Sequence, residues 1–278
     1  VRGENYDSPG QRGIFAGGRN SLGVIEYVTI STPGDATDFG DLLSDSRNFA
    51  ATSNGTSGRG IFAGGSPAQD VIQYITILTT GNSTDFGNLS EGLYDLAASS
   101  NGPNERAVLI GGRTGASTTI NTLQYITIST TGNATDFGDL LGSSFRQGGT
   151  SNATHERGII AGGYGPNVDS IEYFTISALG NSVDFGDLTA VKYFVPATSN
   201  AQNERGIFMG GEDPGGGENI IDYITISSPG NATDFGFTTR QRGAGSQASS
   251  NATDDRGITA ASDTWNERSI DYVAISTP

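Results

Sequence analysis

The string YITISTTGNATDFGDL, Tyr125 to Leu140, is written five times with small changes and a sixth time in truncated form. Tyr27, Tyr74, Tyr125, Tyr173, Tyr223 and Tyr272 head the copies, so successive copies are offset by 47, 51, 48, 50 and 49 residues. In the five complete copies a Phe follows its Tyr by 12 residues, at Phe39, Phe86, Phe137, Phe185 and Phe235. A period near fifty restricts the fold to a repeat architecture, in which each copy buries its apolar face against the next. Residues 1–278 therefore read as a single domain of six repeats.

Within each period, four short strand signals are separated by turn residues, with almost no helical periodicity. The copy that begins near Arg47 shows the order. A segment of small residues, RNFAATSN, suits a crowded innermost strand. RGIFAGG (Arg59 to Gly65) is an apolar strand ending in paired glycines, where backbone approaches backbone or takes positive φ. VIQYITI (Val71 to Ile77) is β-branched and suits a strand packed on both faces. TDFGNL, after a Gly-Asn turn, is the outermost strand. Six such units predict an all-β, six-bladed β-propeller with four-stranded antiparallel blades. The last blade is expected to be incomplete, because the sixth copy stops before its DFG segment. The chain opens on Val1 and closes in mid-repeat, which reads as a fragment of a longer chain.

The paired glycines at Gly17-Gly18, Gly64-Gly65, Gly111-Gly112, Gly162-Gly163 and Gly210-Gly211, each followed by a Tyr and then an aromatic, resemble kelch repeats. Phe stands here where kelch blades usually carry Trp, the Tyr-to-aromatic spacing is longer, and the sixth copy has Ala261-Ser262 for the glycines. The resemblance covers the whole chain and implies the propeller, but no activity. The strings of the type IEYITIS and GNATDFGDL also resemble repeats in structural proteins of marine tailed phages, particularly virion and tail-fibre proteins of cyanophages. That second resemblance implies a virion or extracellular location, a host-binding or decorating role, and other virion proteins as neighbours.

Charge and composition narrow the partners. The formal net charge is −15 and Lys192 is the only lysine, so no basic stripe exists to neutralise phosphates, and nucleic acid is disfavoured as a partner. An anionic membrane surface is disfavoured on the same ground, and no apolar run has the length of a membrane span. With no Cys, one His and one Lys, most nucleophilic and metal-based mechanisms lack parts. The expectation is a non-enzyme with no cofactor and no metal; a carboxylate-pair glycosidase is the enzymatic alternative. Calcium at the two aspartates of NATDFGD is disfavoured for want of a dense ligand loop.

Length variation locates the functional face. From the second Gly of each pair to the Tyr runs 9, 9, 13, 10 and 12 residues, whereas from the repeat Arg to the first Gly is always five in these copies. The links from outer strand to next inner strand hold their length but change chemistry: LLSDSRNF, LSEGLYDL, LLGSSFRQ, LTAVKYFV. Turns alternate between the two faces of a blade, so both variable sets share one face, where recognition is expected. Its candidate ligand-binding residues are Tyr94, Asp95, Tyr164, Lys192, Tyr193, Phe194, Asp213, Glu218 and Trp265. Aromatics beside carboxylates fit stacking on sugar rings, and so a host-surface glycan or receptor. A secreted or cell-surface adhesion propeller would use the same face. The recurring Arg59, Arg106, Arg157 and Arg205, taken with Asp85, Asp136, Asp184 and Asp234, are expected to form structural Arg–carboxylate pairs. Oligomerisation is left to the parent chain, since no interface is visible in the repeat. Asn54, Asn82, Asn88, Asn133, Asn152, Asn231 and Asn251 fit the N-glycosylation pattern, and most of them recur because the turn recurs, so turn chemistry explains them.

Overall fold

In a computed structural model, described for residues 11–18, 23–55, 58–165, 169–262 and 267–277, six small antiparallel sheets form the ring of a six-bladed β-propeller. Blade 4 is representative, with strands Gly148–Ser151, Arg157–Ala161, Ser170–Thr175 and Val183–Asp187 running from inside to outside. Blades 3, 4 and 5 have four strands. Blade 2 gains a fifth, because Arg113–Thr114 from the blade 3 loop pairs with Leu93 and Tyr94. Among the described residues, blades 1 and 6 show three strands each. Blade 6 runs from Gln247–Ser250 to Glu267–Ala274, where Tyr272 is left exposed.

The repeated string is explained by its junctions. The Tyr and Phe of each copy meet edge to face, as Tyr125 and Phe137 do with ring centroids 6.2 Å apart. Phe137 is buried, and it sits in the outer strand at a register shift where Leu123 pairs with Gly138 but Gln124 pairs with Asp136. The Gly-Asn turn of each of blades 2 to 5 then clamps the outer strand of the blade before it. Gly180 N–H donates to the Phe137 carbonyl at 2.9 Å, and Asp139 N–H donates to Asn181 Oδ1 at 3.0 Å. The same pair of bonds recurs at Gly81 and Asn82, Gly132 and Asn133, and Gly230 and Asn231. Gly138 has no alternative here, since a Cβ would lie 2.4 Å from the Gly180 carbonyl oxygen.

The opposite end of the second strand is pinned by a buried Asn. Asn152 Oδ1 accepts from Arg157 N–H at 2.7 Å, and its Nδ2 donates to Glu204 of the next blade at 3.0 Å. Asn54, Asn101 and Asn200 repeat this, to Glu105, Glu156 and Asp255. Asn54, Asn152 and Asn251 are therefore interior residues, closed to a glycan in the folded chain. Around the axis, the hydroxyls of Ser100, Ser151, Ser199 and Ser250 each donate to the carbonyl of the preceding serine at 2.6–2.7 Å, beginning at Ser53.

The repeat arginines are structural, but not through the expected carboxylates. Arg59, Arg106, Arg157 and Arg205 each stack on the Tyr of their own blade, with guanidinium carbons 4.2–4.6 Å from the ring centroid. Each then donates to an Ile carbonyl of the next blade, at Ile128, Ile176, Ile226 and Ile275. Asp85, Asp136, Asp184 and Asp234 are exposed and none of the described ion pairs joins them to these arginines. The physical reason is that a ring face and a buried carbonyl use both the charge and the donors of the guanidinium, leaving Asp in the outer strand to face water.

Candidate functional site: an arginine–aromatic crown on the variable face

The two variable segment types meet on one face, as adjacent blades bridge there. Tyr164 N–H donates to the Phe145 carbonyl at 2.7 Å, and Tyr193 and Glu212 exchange two backbone bonds of 2.7–2.8 Å. Six residues before each buried turn Asn, the chain takes a left-handed conformation, at Asn48 (φ 58), Asp95 (φ 56), Arg146 (φ 64) and Phe194 (φ 52). The last three donate their backbone N–H to the carbonyl of the predecessor: Asp95 to Asn48, Arg146 to Asp95, Phe194 to Arg146, at 2.8–2.9 Å. The backbone at this position is fixed by an inter-blade ladder, while its side chain changes in every blade. Such a position sets chemistry without altering the scaffold.

The four side chains also touch in sequence. Asn48 Nδ2 donates to Asp95 Oδ1 at 2.7 Å, Arg146 Nε donates to Asp95 Oδ2 at 3.1 Å, and the Arg146 guanidinium lies 4.2 Å from the Phe194 ring centroid. Burial raises the Asp95 carboxyl above its ordinary value, outweighing the opposing effects of Arg146 and Asn48. Beside this arc, Phe145, Tyr164, Tyr193 and Phe194 form a continuous aromatic run with centroids 5.3, 5.5 and 5.9 Å apart. Tyr164 is 53% exposed, so its ring offers a face to solvent. Tyr193 donates its hydroxyl to the Asp213 carbonyl at 3.1 Å, and burial and the Glu212 carboxylate push its phenol up, so it stays a neutral donor.

A cleft of about 690 Å³ opens beside Tyr164, lined by Arg113, Thr119, Ser143, Phe145 and Arg146. Arg113 stacks 4.5 Å from the Phe145 centroid and 5.7 Å from that of Tyr94. Arg146 reaches the same Phe145 ring at 5.1 Å. Two guanidinium groups are thus held against aromatic rings in the lining of the cleft.

Of the residues expected on this face, Tyr94, Asp95, Tyr164, Tyr193 and Phe194 are brought together. Asp213 touches the cluster through its carbonyl; its carboxylate instead accepts from Gly215 N–H. Glu218 lies on the blade 5 hairpin, opposite Gly211 and Arg242. Lys192 belongs to the interior, not to a binding surface. It is fully buried, with Nζ 2.7 Å from the equally buried Asp222. Asp222 occupies the third-strand position that is Gln73, Gln124 or Glu172 in other blades, where the longer side chain reaches the preceding link unaided. Where the shorter Asp stands, the link adds a cation: Lys192 joins the Thr189 hydroxyl on Asp222, and Arg242 joins Thr239 on Asp271, each cation at 2.7 Å. Trp265 lies outside the described residues.

Arg113, Phe145 and Arg146 were not singled out from sequence. Arg146 is marked by its alignment with Asn48, Asp95 and Phe194, the register at which composition varies most. Arg113 directly follows a glycine pair, and nothing in its local sequence indicates that it meets Arg146. No family model matches the chain, and no curated protein matches it.

Proposed function

We propose that this propeller is a non-enzymatic recognition module whose variable face binds a surface glycan, and that it serves as a host-recognition or decorating domain of a virus particle. The observation that carries the reading is the crown itself: an exposed Tyr164 ring, neighbouring rings and guanidinium donors gathered on the one face whose loops vary in length. An exposed aromatic face with hydrogen-bond donors beside it matches a pyranose ring, which has an apolar face and a rim of hydroxyls. The invariant junctions of the rest of the ring support a scaffold role for it, in keeping with attachment to other virion proteins through the constant face. The phage-like repeat strings support the setting. The test is a glycan array probed with the chain and with a Tyr164→Ala/Tyr193→Ala variant of equal thermal stability. Binding by the parent and at least about a tenfold loss in the variant are expected, since a stacking ring contributes on the order of 1–2 kcal/mol. A folded parent that binds no glycan would overturn the reading.

A further inference from the structure

The cleft beside Tyr164 is lined by two arginines in a chain of net charge −15. The chain carries 30 acidic and 15 basic residues. Six of the basic residues, Arg12, Arg59, Arg106, Arg157, Arg205 and Arg256, are spent on the repeat tyrosines. Lys192 and Arg242 are buried against Asp222 and Asp271. Arg113 and Arg146 instead converge on one ring, Phe145, at the lining of one cleft. The described lining holds these two arginines and no carboxylate. The nearest acid in the network, Asp95, has a side chain only 1% exposed and bonds Asn48 and Arg146 from inside.

The way the two guanidinium groups are held matters. Stacking uses the faces of a guanidinium and leaves its edge N–H groups free to point sideways. Arg146 gives Asp95 its Nε edge, and Arg113 reaches only the Ser117 carbonyl at 3.3 Å from its NH2 group, while its Nε is buried without a partner. Two oriented forks next to the exposed Tyr164 ring form a site for a planar anion joined to an apolar face. Building on the recognition reading above, we propose that this cleft selects an acidic pyranose, a sugar whose carboxylate is held by Arg113 and Arg146 while its ring stacks on Tyr164. Ser143 and Thr119 at the rim supply hydroxyls for the remaining sugar oxygens.

Arg113 is the residue to change, because removing Arg146 would strand the buried Asp95. The probes are tetramers of galacturonate, glucuronate and mannuronate, each paired with its carboxyl-reduced neutral counterpart, titrated by calorimetry against the full chain. At least one uronate tetramer is expected to bind about tenfold or more tightly than its neutral partner, as befits a two-point charge-assisted bond. Arg113→Gln is expected to erase that preference, and Arg113→Lys, which keeps charge but loses the fork, to restore only part of it. Thermal midpoints of both variants report that the fold is intact. Neutral tetramers that bind as well as the uronates, or a preference that survives Arg113→Gln, would overturn the acid selectivity while leaving glycan recognition standing. Uronates that fail while neutral glycans on the array bind would do the same. Failure of every glycan, charged or neutral, would overturn the recognition reading and this one with it.

Discussion

Lys192 is the residue whose removal should be felt most sharply, and the repeat itself supplies the control. Lys192 and Asp222 are both fully buried and joined at 2.7 Å. Lys192→Leu leaves the carboxylate inside without its cation. Breaking a buried pair from one side costs about 3–5 kcal/mol, which at roughly 2–4 °C per kcal/mol is a fall of about 10 °C in the thermal midpoint. Lys192 stands eight residues before the buried Asn200, and the equivalent residue before Asn101 is Leu93, buried at 1% exposure and matched by the neutral Gln124 on the third strand. Lys192→Leu combined with Asp222→Gln therefore transplants a combination the molecule already uses at the junction of blades 2 and 3. The double variant should regain most of the lost stability, because no charge is left buried. Calorimetric melts of the parent, the single and the double variant at neutral pH and one scan rate would decide. A single variant within about 1 kcal/mol of the parent, or a double variant no more stable than the single, would refute the assignment of Lys192 as a compensator for a short Asp.

Two further outcomes follow from the inter-blade junctions. Gly138→Ala places a Cβ 2.4 Å from a neighbouring backbone carbonyl at φ +150 and should cost more than about 2 kcal/mol, whereas Gly132→Ala, whose Cβ meets nothing within 4 Å, should stay within about 0.5 kcal/mol. Melts showing equal losses at the two glycines would refute the clamp as the reason for the motif. On the constant face, burial would raise the carboxyls of Glu204 and Asp255, but hydrogen bonds from Asn152 and His155, and from Ser276 and Asn200, outweigh it and hold both below their ordinary values. Asp271 is lowered likewise, by Thr239 and Arg242 against its burial. Carboxyls depressed in the folded state contribute stability that is complete above their unfolded values and is lost as pH falls through the folded ones. The contribution of these three carboxyls should thus be complete above about pH 5 and decline toward pH 3, and Asn200→Ala should make the fall of the thermal midpoint over that range shallower; parallel curves for the two proteins would contradict it.

Much of the fold was legible because each copy states the same solution. The Tyr-to-Phe interval fixed the blade, and the glycine pairs marked close approach: a Cβ at Gly64 would lie 2.6 Å from the Leu93 carbonyl oxygen. The alternation of turns placed both variable sets on one face. The arginine partners were misread because a carbonyl and a ring face leave no charged counterpart in sequence, so the exposed aspartates drew the pairing by default. Lys192 looked like a loop cation, yet its equivalents Ser46 and Leu93 are both interior, which Ser, Leu, Ser and Lys at one position do not disclose in sequence. The convergence of Arg113 and Arg146 had no trace either. Arg113 comes from the loop between the second and third strands of blade 3, and Arg146, next to Phe145 in the chain, from the link that leaves that blade's outer strand, so only the fold brings Arg113 onto Phe145.

The clamp of the Gly-Asn turns of blades 2 to 5 on the preceding blade makes those four junctions head-to-tail, with donor and acceptor halves both written into blades 2 to 4. Such a contact is the kind that closes cyclic assemblies of separate subunits, here threaded on one polypeptide. It also makes those copies interchangeable parts. A coding segment lifted from one blade and inserted in place of another carries both halves of the junction, and with them its own link and loop. Crossing-over between near-identical copies can therefore reshuffle the residues of the binding face while every scaffold bond re-forms, so that a new specificity needs no new fold to be solved.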